Sequence, residues 1–461
     1  FFRILDRDDS KEKAEAAGFP FSHIRYFREG EDQALFDEIQ PDAVITKESG
    51  ESGFFEEKIA PALAAGVPVY MITRPALPAH YEQVQGPVGL RKAVERLCPD
   101  FFPLKTGFTT GSTATAATAA ALHALLHEGE FIDSAEIILP SGEEVKLPVE
   151  RLERTERGYR AMARKYSGDD PDVTHLTEIC SEVAFTEEHD GIRFLQGEGV
   201  GIVTLPGLGL EIGGPAINKT PRQMMETIVR RHYPVGGVDI TISIPQGREL
   251  ASKTFNPRLG ILDGISVVGT SGVVKPFSSE AFIASIVRQA DVAVALGADT
   301  IVINSGAKSE KYLKAAFPDL PFQSFVQYGN FIGETLEKLA SLSIPKIYMG
   351  IMLGKAVKLA EGNMDTHSKK VVMNKAYLHT VATKAGCTDR AHTLIDGLTL
   401  ARELWQGLSA EDLDRFMHQI TESCHEAGAR LVPESELSVL LIDDEGNIRY
   451  TYPRDFFQTN K

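Results

Sequence analysis

The sequence predicts a multidomain protein of mixed α/β and α+β class, on three observations. Its 461 residues exceed what a single core usually serves, so two to four domains are expected. Residues 1–84 follow a strand–loop–helix–strand pattern, the mark of a βαβ unit. Residues 268–425 alternate helix and strand regularly, which predicts a mostly parallel sheet.

Within 1–84, residues 42–46 read as a short buried strand and 54–65 as a helix stopped by Gly66. Residues 67–73 read as a second strand, ending at Arg74-Pro75. Ligands of open α/β sheets sit at the carboxyl ends of strands, which marks the loop 46–53 as a candidate site. Residues 85–104, with Gly86-Pro87 and Pro99, read as a helix-bearing linker. From 105 to 267 strands and helices mix into an α+β domain. There 135–139 and 145–148 flank the turn Pro140-Ser-Gly-Glu143 as a hairpin, and 238–244 alternates as a half-buried strand. The last domain, 268–461, is expected to hold helices at 279–296, 309–316, 329–340 and 354–361 and strands at 300–304 and 346–349. A C-terminal hairpin is expected across 436–452, turning at 443–446.

Composition excludes several classes. Apolar residues, at 43%, suffice for ordinary cores, but no uninterrupted run reaches the roughly 18–20 needed to span a bilayer. The Ala-rich stretch after Gly111 is broken by Thr115, Thr118, His123 and His127 and reads as a closely packed soluble helix. Cys98, Cys180, Cys387 and Cys424 are widely spaced, without a CxxC, which fits a reduced cytoplasm. A net charge of −16 argues against a general nucleic-acid binder but not against an anionic small substrate held by local cations. The opening Phe-Phe-Arg-Ile lacks a signal-peptide pattern and an initiator Met, so the true start is expected upstream.

Five constellations can carry chemistry. The first is Thr106-Gly-Phe-Thr-Thr-Gly-Ser-Thr113 before the Ala-rich helix. Its hydroxyls, Thr109 and Thr110 among them, either cap a buried helix or form an anion site. In the second, Asp169, Asp170 and Asp172 crowd three carboxylates into four residues. They suit proton transfer, ordering of ligand hydroxyls or a hard cation, or else form a solvated turn; EF-hand spacing is absent. The third runs from Gly197 to Arg222: Gly199 and Gly201 permit close backbone approach, and Asn218, Lys219 and Arg222 are donors suited to carboxylates. The fourth, 251–276, offers Lys253, Asn256 and Arg258 as carboxylate donors. Its Gly269, Thr270, Ser271 and Gly272 follow an expected strand at 265–268, where an α/β ligand loop belongs.

The fifth pairs Ser305-Gly306 after one strand with 350–358, including Lys355 and Lys358, after another. The latter is not a P-loop: three residues separate Gly350 from Gly354, and Ala356 stands where a Ser or Thr would touch magnesium. Asp365-Thr-His367 is a polar trio downstream, in which a lone histidine reads as structural. His123 and His127 lie four apart, but Ala124 stands where HExxH has its Glu, and no metal is expected.

Taken in order, five segments resemble the cobalt-precorrin-5B C-1 methyltransferase family (CbiD). They are Gly107-Phe-Thr-Thr-Gly111, Gly168-Asp-Asp-Pro-Asp-Val-Thr174, 197–222, 253–276, and Tyr328-Gly-Asn-Phe-Ile-Gly333 together with 354–367. The resemblance covers about 105–450. The chain departs from it at Thr113, where the family has Cys, at Tyr166-Ser167 (Asp-Ala), at Leu205 (Lys) and within Asn218-Lys-Thr-Pro-Arg222 (Asn-Pro-Val-Pro-Arg). Residues 1–84 resemble the C-terminal half of the precorrin-6A reductases (CbiJ or CobK type), through Asp42-Ala-Val-Ile-Thr-Lys-Glu-Ser-Gly50, Lys58 and Arg74-Pro75.

The resemblance implies a partial Rossmann-like unit followed by CbiD-like α+β and α/β domains. It implies methylation of cobalt-precorrin-5B at C-1 by S-adenosylmethionine, giving cobalt-precorrin-6A in anaerobic cobalamin synthesis. NADPH is implied only if the reductase half is complete. On this reading Thr109, Thr110, Asn218, Arg222, Lys253, Asn256, Arg258, Lys275, Lys355 and Lys358 face the polycarboxylate ring. Gly269, Thr270, Ser271, Gly272, Ser305, Gly306, Gly329 and Asn330 face the methyl donor, and Asp169, Asp170 and Asp172 are the candidate acid–base groups. Expected partners are the cobalt-precorrin and other enzymes of the pathway, with no nucleic acid and no membrane. The alternatives are a non-catalytic corrinoid carrier, a working reductase–methyltransferase fusion and, more distantly, a nicotinamide dehydrogenase. The oligomeric state stays open.

Overall fold

The computed structural model describes residues 1–48, 55–73, 78 and 83–459. The chain forms two compact units, 1–83 and 84–461. In the first, the parallel pair Val44–Lys47 and Val69–Ile72 is joined through the helix Phe55–Ala64, so the expected βαβ element is present. A second parallel pair joins Phe2–Ile4 to Ile24–Tyr26. The two pairs stay separate, so a continuous Rossmann-like sheet is not formed among the described residues. From residue 49 onward the loop expected at 46–53 lies outside the described residues, as does Arg74-Pro75.

The second unit begins with the helix Gly86–Leu97, expected in a linker but built into this unit. Glu95 accepts from Thr106 N at 2.8 Å and Thr106 Oγ1 at 2.9 Å, and Gly89 N donates to Glu143 at 2.6 Å. The Ala-rich helix Thr110–Leu126 follows, and Ala114, Ala116, Ala117, Ala121 and Ala124 are fully buried. Apolar on every side, it is a core helix. Its Thr115 and Thr118 satisfy their hydroxyls by donating to carbonyls one turn back, each at 2.8 Å.

This helix packs on a five-stranded sheet ordered Ile192–Gln196, Gly237–Ser243, Glu178–Thr186, Tyr159–Arg164 and Arg151–Arg154. Only the first pair is parallel. The expected hairpin forms from Ser134–Ile138 and Glu144–Pro148. The strand Gly237–Ser243 is more buried than its alternation predicts. Its polar residue Asp239 is covered by cations: Arg157 at 2.6 Å, Arg193 at 2.8 and 2.9 Å, and His189 at 3.0 Å. These hydrogen bonds, Arg193's first, hold the Asp239 carboxyl down at about 2 against an ordinary 3.8. A carboxyl whose folded pKa is depressed stabilises the fold above its unfolded pKa and loses that contribution as pH falls through the folded one. Asp239→Asn is therefore expected to cost about 2 kcal/mol in urea unfolding at pH 7, a difference that closes between pH 4 and pH 2.

Beyond this sheet the chain loops through 197–218 and 252–278. The strand expected at 265–268 survives only as single bridges, Ile265 to Val200 and Val267 to Ile217. Crossing backbones explain the loss of a ladder: a Cβ at Gly264 would lie 2.2 Å from Gly199 O, and one at Gly199 1.9 Å from Ile244 O. The strand Val273–Val274 pairs back onto Gly107–Phe108, so 268–274 is tied to the first core and does not open the second.

The second core surrounds a sheet ordered Phe325–Gln327, Thr300–Asn304, Lys346–Met352, Glu436–Ile442 and Ile448–Tyr452, with all but the last strand parallel. On one face Leu313, from the helix Ala307–Ala316, packs with Phe325, Tyr348 and Phe456. The opposite face is covered by Ser279–Ala295, Ile332–Ser341, Leu353–Ala360 and Ala410–Ala429. The helices Lys375–Lys384, Asp389–Gly397 and Ala410–Ala429 add to the expected set. The terminal hairpin turns where expected, with Asp443 accepting from the N–H groups of Glu445, Gly446 and Asn447. No described helix is long and apolar enough to cross a membrane.

Candidate functional site

Three adjacent parallel strands bring expected site residues to one sheet edge. Thr300–Asn304 ends at Ser305-Gly306, Phe325–Gln327 leads into Tyr328-Gly329-Asn330, and Lys346–Met352 runs into the helix bearing Lys355 and Lys358. The connection after Thr300–Asn304 goes to one face and that after Lys346–Met352 to the other. Their carboxyl ends therefore flank a topological switch point, where open α/β sheets bind ligands. A Cβ placed at Gly306 or Gly354 would meet nothing within 4 Å, so the backbone there is open to a ligand.

Asn330 and Lys355 meet at this edge. Lys355 Nζ donates to Asn330 Oδ1 and, at 3.3 Å, to Thr366 Oγ1, while Lys358 Nζ donates to Thr366 O at 3.2 Å. The segment around Thr366 is zipped to Asn330 by Thr366 N to Asn330 O, 3.0 Å, and Ile332 N to Met364 O, 3.0 Å. Burial, reinforced by the neighbouring Lys358 charge, pushes the Lys355 amine down to about 8, with Asp365 opposing.

On the other side of the turns at 307 and 327 lies a cavity of about 580 Å³. Its lining includes Lys253, Phe255, Arg258, Ala307, Glu310, Lys311, Lys314 and Gln327. Four cations against one carboxylate give it a positive excess. Lys253 is exposed, and among the described residues its ammonium bonds only to Glu249, at 3.3 Å. Arg258 is engaged in structure: it grips both Glu310 oxygens, donates to Phe325 O at 3.1 Å and lies over the Phe322 ring. Burial alone would raise the Glu310 carboxyl. Hydrogen bonds from Arg258, Lys314 and Gln327 outweigh it and hold Glu310 below the usual carboxylate range. Lys311 and Lys314 escaped the sequence reading; their helix looks like an ordinary solvated face. Phe255, Phe282 and Phe331 form a ladder from this cavity, with centroids 6.5 and 5.7 Å apart.

A second group of expected residues gathers elsewhere. Thr109 and Thr110 start the Ala-rich helix against the loop 268–272: Thr110 Oγ1 donates to Val268 O at 3.0 Å and accepts from Val268 N at 2.9 Å. Gly111 N donates to Val268 O at 2.9 Å, Thr109 Oγ1 accepts from Ser112 N at 3.2 Å, and Ser112 Oγ donates to Gly272 O at 2.6 Å. This helix end is therefore closed by the protein itself, and Thr110 is buried. Gly269 has to be glycine, because a Cβ would lie 2.2 Å from Thr109 Oγ1. Gly269 and Thr270 line a smaller cavity, about 140 Å³, with Asn218 and Lys219. Ser271 donates to Val273 O at 2.9 Å.

The remaining expected residues hold structure. Arg222 donates to Ile217 O at 2.8 Å and Pro215 O at 3.2 Å, and burial lowers its pKa. Asn256 is buried and accepts from Ser266 Oγ at 3.0 Å. Asp169 accepts from Lys105 N at 2.6 Å and Asp170 from Phe277 N at 2.9 Å. Asp172 takes the buried Lys165 together with Thr174 N, 2.7 Å, and Thr174 Oγ1, 2.6 Å. These three carboxylates staple 105, 165–174 and 277 together, which favours the structural alternative over acid–base work. Among the described residues no cluster of metal-binding side chains forms.

Comparison with known proteins identifies the family. The CbiD family profile matches residues 99–276, that of the CbiD C-terminal domain 365–453, and that of precorrin-6x reductase CbiJ/CobK 1–94. Cobalt-precorrin-5B C(1)-methyltransferase of Prosthecochloris aestuarii is 39% identical over 346 residues, covering 74% of this chain and 94% of its own length. The enzyme of the same name from Thermus thermophilus is 40% identical over 353 residues, covering 76% and 94%. The crystal structure of the cobalamin biosynthesis protein CbiD from Archaeoglobus fulgidus matches at 28% identity, covering 58% of this chain and 83% of its own, with a TM-score of 0.32. With relatives near 40% identity matched over almost their whole length, this chain belongs to the CbiD family, whose members compared here are named cobalt-precorrin-5B C(1)-methyltransferases.

Proposed function

We propose that the protein transfers a methyl group from S-adenosylmethionine to C-1 of cobalt-precorrin-5B, yielding cobalt-precorrin-6A. One observation carries this beyond kinship. Ala307 and Gln327 line a cation-rich cavity, and the backbone next to them, at Gly306 and across the sheet edge at Gly354, has open space around it. A polycarboxylate ring and a methyl donor can thus meet across shared backbone. The residues at this sheet edge fit the donor: Gly306 and Gly354 leave room at the backbone, and Ser305, Asn330 and Lys355 offer polar groups. When bound, S-adenosylmethionine supplies an electrophilic methyl on a sulfonium. Lys253, Lys311 and Lys314 hold ring carboxylates, and the Phe255–Phe282–Phe331 ladder covers apolar ring surface. Catalysis rests on positioning, because fixing two reactants in line removes much of the entropic barrier. The same reading places the enzyme in the cytoplasm.

Incubation with cobalt-precorrin-5B and methyl-labelled S-adenosylmethionine, followed by mass spectrometry, tests the proposal. Label at C-1 is the expected result. Tight ring binding without transfer would instead identify a corrinoid carrier. The reductase-family match over 1–94 supports one second reading, a fusion that also reduces the methylated product. An NADPH-dependent gain of two hydrogens in the same assay would establish it.

A further inference from the structure

Lys355 and Lys358 form a cationic pair whose direct partners are all neutral. Lys355 reaches Asn330 Oδ1 and Thr366 Oγ1, and Lys358 reaches Thr366 O. The acidic group felt by Lys355, Asp365, is already bonded to Lys370 Nζ at 2.7 Å and His367 N at 3.1 Å. Two half-buried like charges one helical turn apart repel, and burial weakens their hydration. Asn330 engages its carbonyl with Lys355, so its amide N–H groups add further donors to the cluster. The cluster is thus a surplus of positive charge with neutral acceptors and no carboxylate bonded to it among the described residues, at the switch point of the sheet. A carboxylate satisfies it through charge-assisted hydrogen bonds. The cation-lined cavity across the turns supplies separate partners for ring carboxylates.

We propose that Lys355, Lys358 and Asn330 bind the α-carboxylate of the methyl donor's methionine moiety, not a carboxylate of the ring; the assignment rests on the methyl-transfer reading above. It joins residues that the sequence divides between two ligands, because Asn330 and Lys355 touch.

Calorimetry on the full chain at pH 7 tests it, with S-adenosylmethionine and its decarboxylated analogue as probes. Wild type is expected to prefer S-adenosylmethionine at least about tenfold. Lys355→Met is expected to weaken S-adenosylmethionine about ten- to a hundredfold while leaving the analogue unchanged or tighter, and Lys358→Met to act in the same direction. Both variants keep the apolar stem, and a thermal melt verifies their folding. Equal affinity of wild type for both probes overturns the assignment. So does a Lys355→Met variant that loses cobalt-precorrin affinity but keeps its preference for S-adenosylmethionine, which would move the carboxylate to the ring. Failure of wild type to bind S-adenosylmethionine at all would sink the methyl-transfer reading and this assignment with it.

Discussion

Reversing two charges in the large cavity, Lys253→Glu with Lys311→Glu, is expected to raise KM for the cobalt-precorrin about a hundredfold, with kcat changed little. Both side chains are exposed and neither ties the fold: Lys253 has only a surface contact with Glu249, and Lys311 has no polar partner among the described residues. The double change turns four cations and one carboxylate into two cations and three carboxylates. Charges about 4 Å apart interact by about 1 kcal/mol in water and more where water is partly excluded, so a four-unit swing reaches the required ~3 kcal/mol. Steady-state kinetics with the ring varied decides it, and the Lys253→Gln, Lys311→Gln pair should fall between. Added salt should raise the wild-type KM and lower that of the reversed enzyme. An unchanged KM would mean that the ring binds elsewhere. Affinity for S-adenosylmethionine should not move.

Arg258→Ala carries the largest expected stability loss, about 3–5 kcal/mol, because it strands the buried Glu310 carboxylate. Arg258 sits on the turn Asn256–Leu259 and Glu310 on the helix Ala307–Ala316, so the pair fastens the loop region to the sheet. Lys314 and Gln327 remain on Glu310, which places the loss nearer the lower bound. Arg258→Met with Glu310→Leu should recover most of it, since no unpaired charge is then left inside and Lys314 can turn to solvent. Denaturant unfolding of the three proteins settles this. If the double variant is no more stable than Arg258→Ala, the cost lies in the Phe325 and Phe322 contacts and not in the stranded charge.

The regular elements of the second core could be read in advance because their signals are local. Thr300–Asn304 is buried at every position and carries the apolar run Ile301-Val302-Ile303. The helix Ala410–Ala429 lay outside the expected set although its signal is local too: Phe416, Ile420, Cys424 and Ala427 recur at helical spacing and are buried. The loops at 197–218 and 252–278 were not, since their form depends on backbones crossing at Gly199 and Gly264, positions more than sixty residues apart. The candidate site divides in the same way. Sequence showed that Asp169, Asp170 and Asp172 are acidic, but their partners Lys105 and Phe277 lie 64 and 107 residues from Asp169 and Asp170. Lys355 and Asn330 each stood out in the sequence as a candidate ligand contact, but their meeting depends on strand order. Lys311 and Lys314 carry no local mark that separates a cavity wall from a solvated helix.

The bond from Ser112 to Gly272 closes the start of the Ala-rich helix across 160 residues. A ribosome adding roughly 5–20 residues per second leaves that helix end open for roughly 8–32 s. The five strands of its sheet are all synthesised in that interval, but its closing loop is not. The nascent chain therefore carries an alanine-rich helix, destined for burial, in search of its final contacts, and a product terminated before residue 268 would lack them permanently.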